Sequence, residues 1–231
     1  MSRVLPILFN TEMVRAILDG RKTVTRRICK DVNEYVVPDM SFYDAEKRTY
    51  AVYNFADKEH TDQLSIAERT CPICPGDILY VRETWRIFNK EYFFYNQTIE
   101  FEYKDGTHSE LVHIEDKELF KRLVECVRDE RRSGKHCWHP SIHMPKESAR
   151  IWLKVKDVRV ERLHEITAED ALAEGAERYI HLDGSLDESG TLTSFIGIWN
   201  STIRKSDLDR YGWDANPWVW VIEFERCEKP E

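Results

Sequence analysis

Apolar positions first fall at helical spacing over residues 11–18, where Met13, Val14, Ile17 and Leu18 share a face, Thr11 stands at the capping position and Gly20 follows as a stop. Residues 21–27, rich in β-branched side chains, read as an extended segment. Between 31 and 70 the pattern is polar and weakly periodic, with strands expected near 35–37 and 49–55, and the stretch reads as an insertion. Pro75-Gly76-Asp77 marks a turn into 78–85, a strand apolar on both faces at its start and therefore expected to be central. Residues 92–103 and 108–114 flank Asp105-Gly106, a hairpin signal, and Leu119, Phe120, Leu123, Val124 and Val127 stripe a helix over 116–132 that ends near Gly134. Alternation resumes at Ile151, Leu153 and Val155 and continues through Val158 and Val160. Thr167 opens a short helix that stops at Gly175, with Glu174 in its last turn. Phe195, Ile196, Trp199 and Ile203 stripe a helix over 192–203. Trp218, Trp220, Ile222 and Phe224 line one face of a closing strand. The expected fold class is α+β: one domain over 1–231, a small mixed β-barrel with flanking helices and two insertions, at about 31–70 and 89–136.

Composition narrows the function classes. The 34 Lys and Arg against 42 Asp and Glu leave a formal charge of −8, which excludes a generic polycationic nucleic-acid binder. Residues 15–30 run the other way: Arg15, Arg21, Lys22, Arg26, Arg27 and Lys30 oppose only Asp19, and local charge is what a phosphate would feel. Six cysteines are too dilute for a disulfide scaffold and read as thiols or metal ligands. The opening apolar run is broken by Pro6 and no stretch approaches a spanning length, so the expectation is a soluble, cytoplasmic protein with no membrane partner.

The octapeptide Gly20-Arg21-Lys22-Thr23-Val24-Thr25-Arg26-Arg27 resembles the Gly-x-Lys-x-x-x-x-Arg signature of the ASCH domain, a relative of the PUA RNA-binding barrel. Further segments follow in the family's order: 75–81, 166–175 and 221–224. The stretches 81–85, 140–145 and 216–220 resemble the longer phage- and prophage-borne forms. The resemblance implies a PUA-like barrel. It also implies a nucleoside or short single-stranded RNA as partner, with a basic site drawing on Arg21, Arg26 and Arg27 and, at the mouth, Arg82, Glu83 and Trp85. One bacterial branch of the family hydrolyses the amide of N4-acetylcytidine; its proposed catalytic groups fall on Lys22, Thr25 and Glu174. Those enzymes are about half as long as this chain.

The chemistry these residues would support is amide hydrolysis. A hydroxyl attacks only once a base takes its proton, and a lysine serves as that base when burial or neighbouring cations lower its pKa. Lys22 would activate Thr25 or a water, and Glu174 would orient Lys22 or relay the proton to the departing amine. Glu174 also favours the charged lysine, which leaves open a charged Lys22 stabilising an oxyanion. On a regular strand Lys22 and Thr25 would point to opposite faces, so convergence demands a bend just after Gly20. Arg82 and Glu83 read equally well as an internal ion pair. Trp85, Trp138 and Trp218 are candidate stacking platforms, of which no more than one is expected to act so. The alternatives are a non-catalytic RNA or modified-base binding module, and an accessory protein that meets a protein partner through the insertions. No cofactor is expected. Cys71 and Cys74 have zinc-ligand spacing, and Cys137 and His139 are candidates to complete a structural site.

Overall fold

The computed structural model describes residues 2–29, 38–44, 49–54, 66–70, 72–88, 96–135 and 137–230. In chain order the elements are β1 (Val4–Leu8), α1 (Thr11–Leu18), β2 (Val24–Ile28), β3 (Pro38–Asp44), β4 (Thr49–Asn54), β5 (Ile66–Thr70), β6 (Ile78–Arg82) and β7 (Trp85–Ile87). There follow β8 (Thr98–Ile99), β9 (Phe101–Tyr103), β10 (Val112–His113), α2 (Lys117–Ser133), β11 (Trp152–Arg162), α3 (Ala168–Ala173), α4 (Glu188–Thr202), α5 (Leu208–Tyr211) and β12 (Trp218–Cys227). The architecture is mixed α+β. The chain divides into two compact units, Met1–Asp19 with Ile78–Lys154 and Arg226–Glu231, and Gly20–Asp77 with Val155–Glu225.

In the first unit β6 is central, as its two-sided apolar pattern predicts: β1 pairs with it in parallel, Val4 opposite Ile78, and Trp152–Lys154 of β11 pair on its other side in antiparallel. The expected strand over 78–85 is broken at Glu83-Thr84, and β7 pairs instead with β9, Arg86 opposite Glu102. Asp105-Gly106 forms the turn that the sequence signals, closed by the Gly106 amide donating to the Tyr103 carbonyl at 2.9 Å, while Ile99 pairs with Val112 further out. Gly106 sits at φ +89°, a conformation that costs glycine least. α2 is capped by Asp116, which accepts from the Glu118 and Leu119 amides, and Gly134 terminates it in the left-handed conformation. Its apolar stripe, Leu123, Val124 and Val127, packs with Trp85, Ile87, Ile99, Phe101, Tyr103, Ile114 and Met144 into a core. Asn10, rather than Thr11, caps α1, its side chain accepting from the Met13 amide: the helix begins one residue earlier than its apolar stripe suggests.

In the second unit the strands run in the order β11–β12–β2, with β12 and β2 antiparallel and Trp220 opposite Arg27. Within the stretch read as an insertion, β3, β4 and β5 form their own antiparallel sheet; β4 coincides with the strand expected at 49–55, and the one expected at 35–37 lies outside the described residues. The core gathers Val24, Leu163, Ile166, Ala171, Ala176, Phe195, Trp199, Val219 and Val221. The buried stripe of α4 is Thr191, Phe195 and Trp199; Ile196 and Ile203 are only half-buried, and the helix starts at Glu188, where Asp187 caps it. The expected closed barrel is corrected: among the described residues the sheets are open, with β1 and β2 each hydrogen-bonded to a single strand. The strand pattern specifies pairing partners, but closure also needs matched tilt and stagger, which alternation does not encode.

Candidate functional site

The site in the second unit is built where the octapeptide meets the end of α3. Thr167 caps that helix by accepting the Asp170 amide, and Gly175, at φ +93°, ends it. The Ala176 amide reaches back to the Ala171 carbonyl at 3.0 Å and the Gly175 amide to Leu172 at 2.9 Å, the pattern of a Schellman closure. Two carbonyls at this terminus remain, and the octapeptide takes both. The Thr23 amide donates to Ala173 at 2.8 Å, and Lys22 Nζ donates to the Glu174 carbonyl at 2.8 Å. Nζ also donates to the Val24 carbonyl at 2.7 Å and forms an ion pair with Glu174 Oε2 at 2.6 Å. These three acceptors match the three hydrogens of an ammonium.

Lys22 is 2% exposed and Glu174 5%. Burial lowers the Lys22 pKa from its ordinary value. Glu174 opposes that shift by charge and hydrogen bond, and the neighbouring Arg27 and Arg26 reinforce it; the net direction is down. Burial lowers the Arg27 pKa as well, against the attraction of Glu174. Arg26 is also buried, its guanidinium spread over three carboxylates: Asp170 at 3.0 Å, Glu161 at 3.4 Å and Glu174 Oε1 at 3.5 Å. Its Nε is buried and has no hydrogen-bond partner among the described residues. Glu161 in turn pairs with Arg159, which reaches Glu223. Asp170 and Glu161 are the members of this cluster that sequence reasoning missed. Asp170 carries the signal of a helix-start acid, and Glu161 stands where the alternation of β11 gives way to polar residues.

Thr25 is buried on β2, opposite Ile222. Strand alternation assigns it to the face opposite Val24 and Arg26. Lys22 and Glu174 are in direct contact, through a lysine that lies in the irregular segment before β2 and folds over the Val24 carbonyl two residues on. Arg21 is exposed and Arg27 half-buried.

Arg82, Glu83 and Trp85 belong to the first unit. Glu83 is buried and held by a two-pronged ion pair with Arg150, Nε to Oε1 and Nη2 to Oε2, both at 2.8 Å. Arg150 also pairs with Asp105 at 2.7 Å and Thr107, and lies over the Tyr103 ring at 4.0 Å. Burial raises the Glu83 pKa, with Arg150 opposing and Asp105 adding to it. Arg82 donates to the Ile142 carbonyl at 3.1 Å. Trp85 sits in the core, stacked on His139 at 4.6 Å and edge-on to Phe101. Trp138 is half-buried with two cations over its ring, Arg86 at 4.6 Å and Lys104 at 4.5 Å from the centre, and Arg162 lies 4.2 Å over Trp218.

Of the candidate zinc ligands, Cys71 lies outside the described residues. Cys74 is buried in the second unit, its amide donating to Asp77 at 2.9 Å, while Cys137 and His139 belong to the first. Among the described residues no three His, Cys, Asp or Glu side chains are grouped to hold a metal ion, and no helix is long and apolar enough to cross a membrane. The described cysteines form no disulfide. Comparison with protein-family models, curated proteins and solved structures returns no match.

Proposed function

We propose that this chain is an amidohydrolase that removes the acyl group from an N4-acylated cytidine-type base, presented as a nucleoside or in RNA. The observation that carries the reading is the buried 2.6 Å contact between Lys22 Nζ and Glu174 Oε2, joined to a lysine pKa lowered by burial. In this reading Nζ, once neutral, takes a proton from the nucleophile, either the Thr25 hydroxyl or a water. The nucleophile's oxygen bonds to the acyl carbon, the C–N4 bond breaks, and the proton passes through Lys22 and Glu174 to the leaving nitrogen. Where Thr25 attacks, water then releases the acyl group as the carboxylic acid. The resemblance of residues 20–27 to the ASCH signature supplies the substrate class.

The test is to incubate the purified chain with N4-acetylcytidine and follow cytidine by chromatography. Turnover that is lost in Lys22→Ala and in Glu174→Gln supports the reading; no turnover across a panel of N4-acylated cytidines overturns it. Thr25→Val then assigns the nucleophile, since complete loss points to the hydroxyl and retention to water. The three acceptors around Nζ favour a second reading, in which Lys22 stays charged and the segment binds a modified base or short single-stranded RNA without chemistry. That reading predicts salt-weakened RNA binding that survives Thr25→Ala and fails in the Lys22→Ala, Arg27→Ala double variant.

A further inference from the structure

The segment that follows the Schellman closure of α3 presents apolar side chains to solvent in a fixed frame. Seven large hydrophobic residues are exposed among the described residues, and three of them, Tyr179, Ile180 and Leu182, fall within four consecutive positions. Ile180 is 63% exposed and Leu182 fully so. This is an ordered hairpin. Ile180 and Leu186 form a bridge, the His181 amide donates to Ser185 at 2.8 Å, and the Asp187 amide donates to Tyr179 at 2.9 Å. Gly184 makes the turn at φ +84°, and Asp183 Oδ1 accepts both the amide and the hydroxyl of Ser185. At the base, Tyr179 packs so closely on α4 that a Cβ at Gly190 would come within 3.0 Å of it. Apolar side chains on a pre-ordered loop bind without the cost of ordering that loop.

The rim decides what can cover them. Residues 177–188 hold Glu177, Asp183, Asp187 and Glu188 against Arg178 alone; four acids and one base leave −3 with His181 neutral. A second copy would oppose two such rims, and an anionic membrane would repel one. We propose that the 179–186 hairpin is a docking element for a protein partner whose apolar pocket is rimmed by lysine and arginine, with Leu182 as the inserted side chain and Ile180 beside it. This inference is independent of the proposed hydrolase.

The experiment pans a random-peptide display library against the full chain, then titrates enriched peptides, synthesised with a fluorophore, by anisotropy. The expected peptides pair large apolar residues with lysine or arginine. Leu182→Asp should weaken them about tenfold or more, the usual scale for an interface anchor. Glu177→Lys and added salt should weaken them as well. Leu182 is fully exposed, so its variant should keep the wild-type circular dichroism and melting temperature. Enrichment of no peptide, enriched peptides lacking basic residues, or unchanged binding to Leu182→Asp each overturns the proposal. A dimer seen by sedimentation that Leu182→Asp dissolves, or Leu182-dependent binding to phosphatidylcholine vesicles, would overturn it in favour of self-association or a lipid surface.

Discussion

Replacing Glu174 with alanine takes from the Lys22 ammonium, whose side chain is 0% exposed, the carboxylate that lies 2.6 Å from Nζ. Breaking a buried ion pair from one side costs about 3–5 kcal/mol. The Val24 carbonyl and the backbone carbonyl of residue 174 still accept from Nζ, which places the loss near the lower bound, at about 3 kcal/mol. For a chain of this size that corresponds to a fall of about 6–12 °C in melting temperature. The pH dependence follows from the direction of the lysine shift. The folded-state pKa of Lys22 lies below its unfolded value, so between the two the unfolded chain binds more protons. The cost of burying the charge is therefore largest below the folded-state pKa and is relieved as pH rises toward the unfolded value near 10.5. Glu174→Ala removes the group that holds the lysine pKa up, so its destabilisation should shrink as pH rises toward the unfolded lysine value. The assay is urea denaturation at several pH values, read by tryptophan fluorescence and far-UV circular dichroism, with coincident transitions required before a single free energy is assigned. In the Lys22→Met, Glu174→Gln double variant neither charge remains buried, and the cycle should report a coupling of about 1–3 kcal/mol. A loss under about 1 kcal/mol, or one that grows with pH, would show that Lys22 does not carry a buried charge compensated by Glu174.

Arg150→Ala should destabilise by about 3–5 kcal/mol, because it strands buried Glu83 together with Asp105; unchanged urea midpoints would contradict the two-pronged pair. Gly134→Ala meets no atom within 4 Å, so its cost should be the left-handed backbone term alone, about 1 kcal/mol, seen as a small shift in midpoint with unchanged slope. The Asp116 carboxyl is held below the usual aspartate range by the Leu119 and Glu118 amides. Its contribution should be present above the unfolded aspartate value and lost as pH falls through the folded one, so the melting temperatures of wild type and Asp116→Asn should converge in acid.

The local elements were legible because each carries its own punctuation. Asp105-Gly106 marks a turn, Gly134 and Gly175 end helices, and the two-sided apolar run at 78–82 makes β6 central. Partners across the chain were less so. The Lys22–Glu174 contact came from a motif and not from periodicity, and nothing in the spacing of Arg26, Glu161 and Asp170 announces that one guanidinium serves three carboxylates. Arg150 was missed as the counter-ion of Glu83 because it directly precedes an apolar strand, where a lone cation reads as a solvated edge. Barrel closure was over-read for the same reason: strand count is local, and the geometry that joins the first strand to the last is not.

Val24 pairs with Glu223, and the end of α3 that receives Lys22 also lies far downstream. During synthesis the cationic octapeptide emerges early and waits, at about 5–20 residues per second, some ten to forty seconds for its strand partner to be made. Through that interval its lysine and arginines stay hydrated, within reach of any polyanion near the ribosome. The acidic chain that follows is thus both the remainder of the fold and the counter-charge that draws this segment indoors.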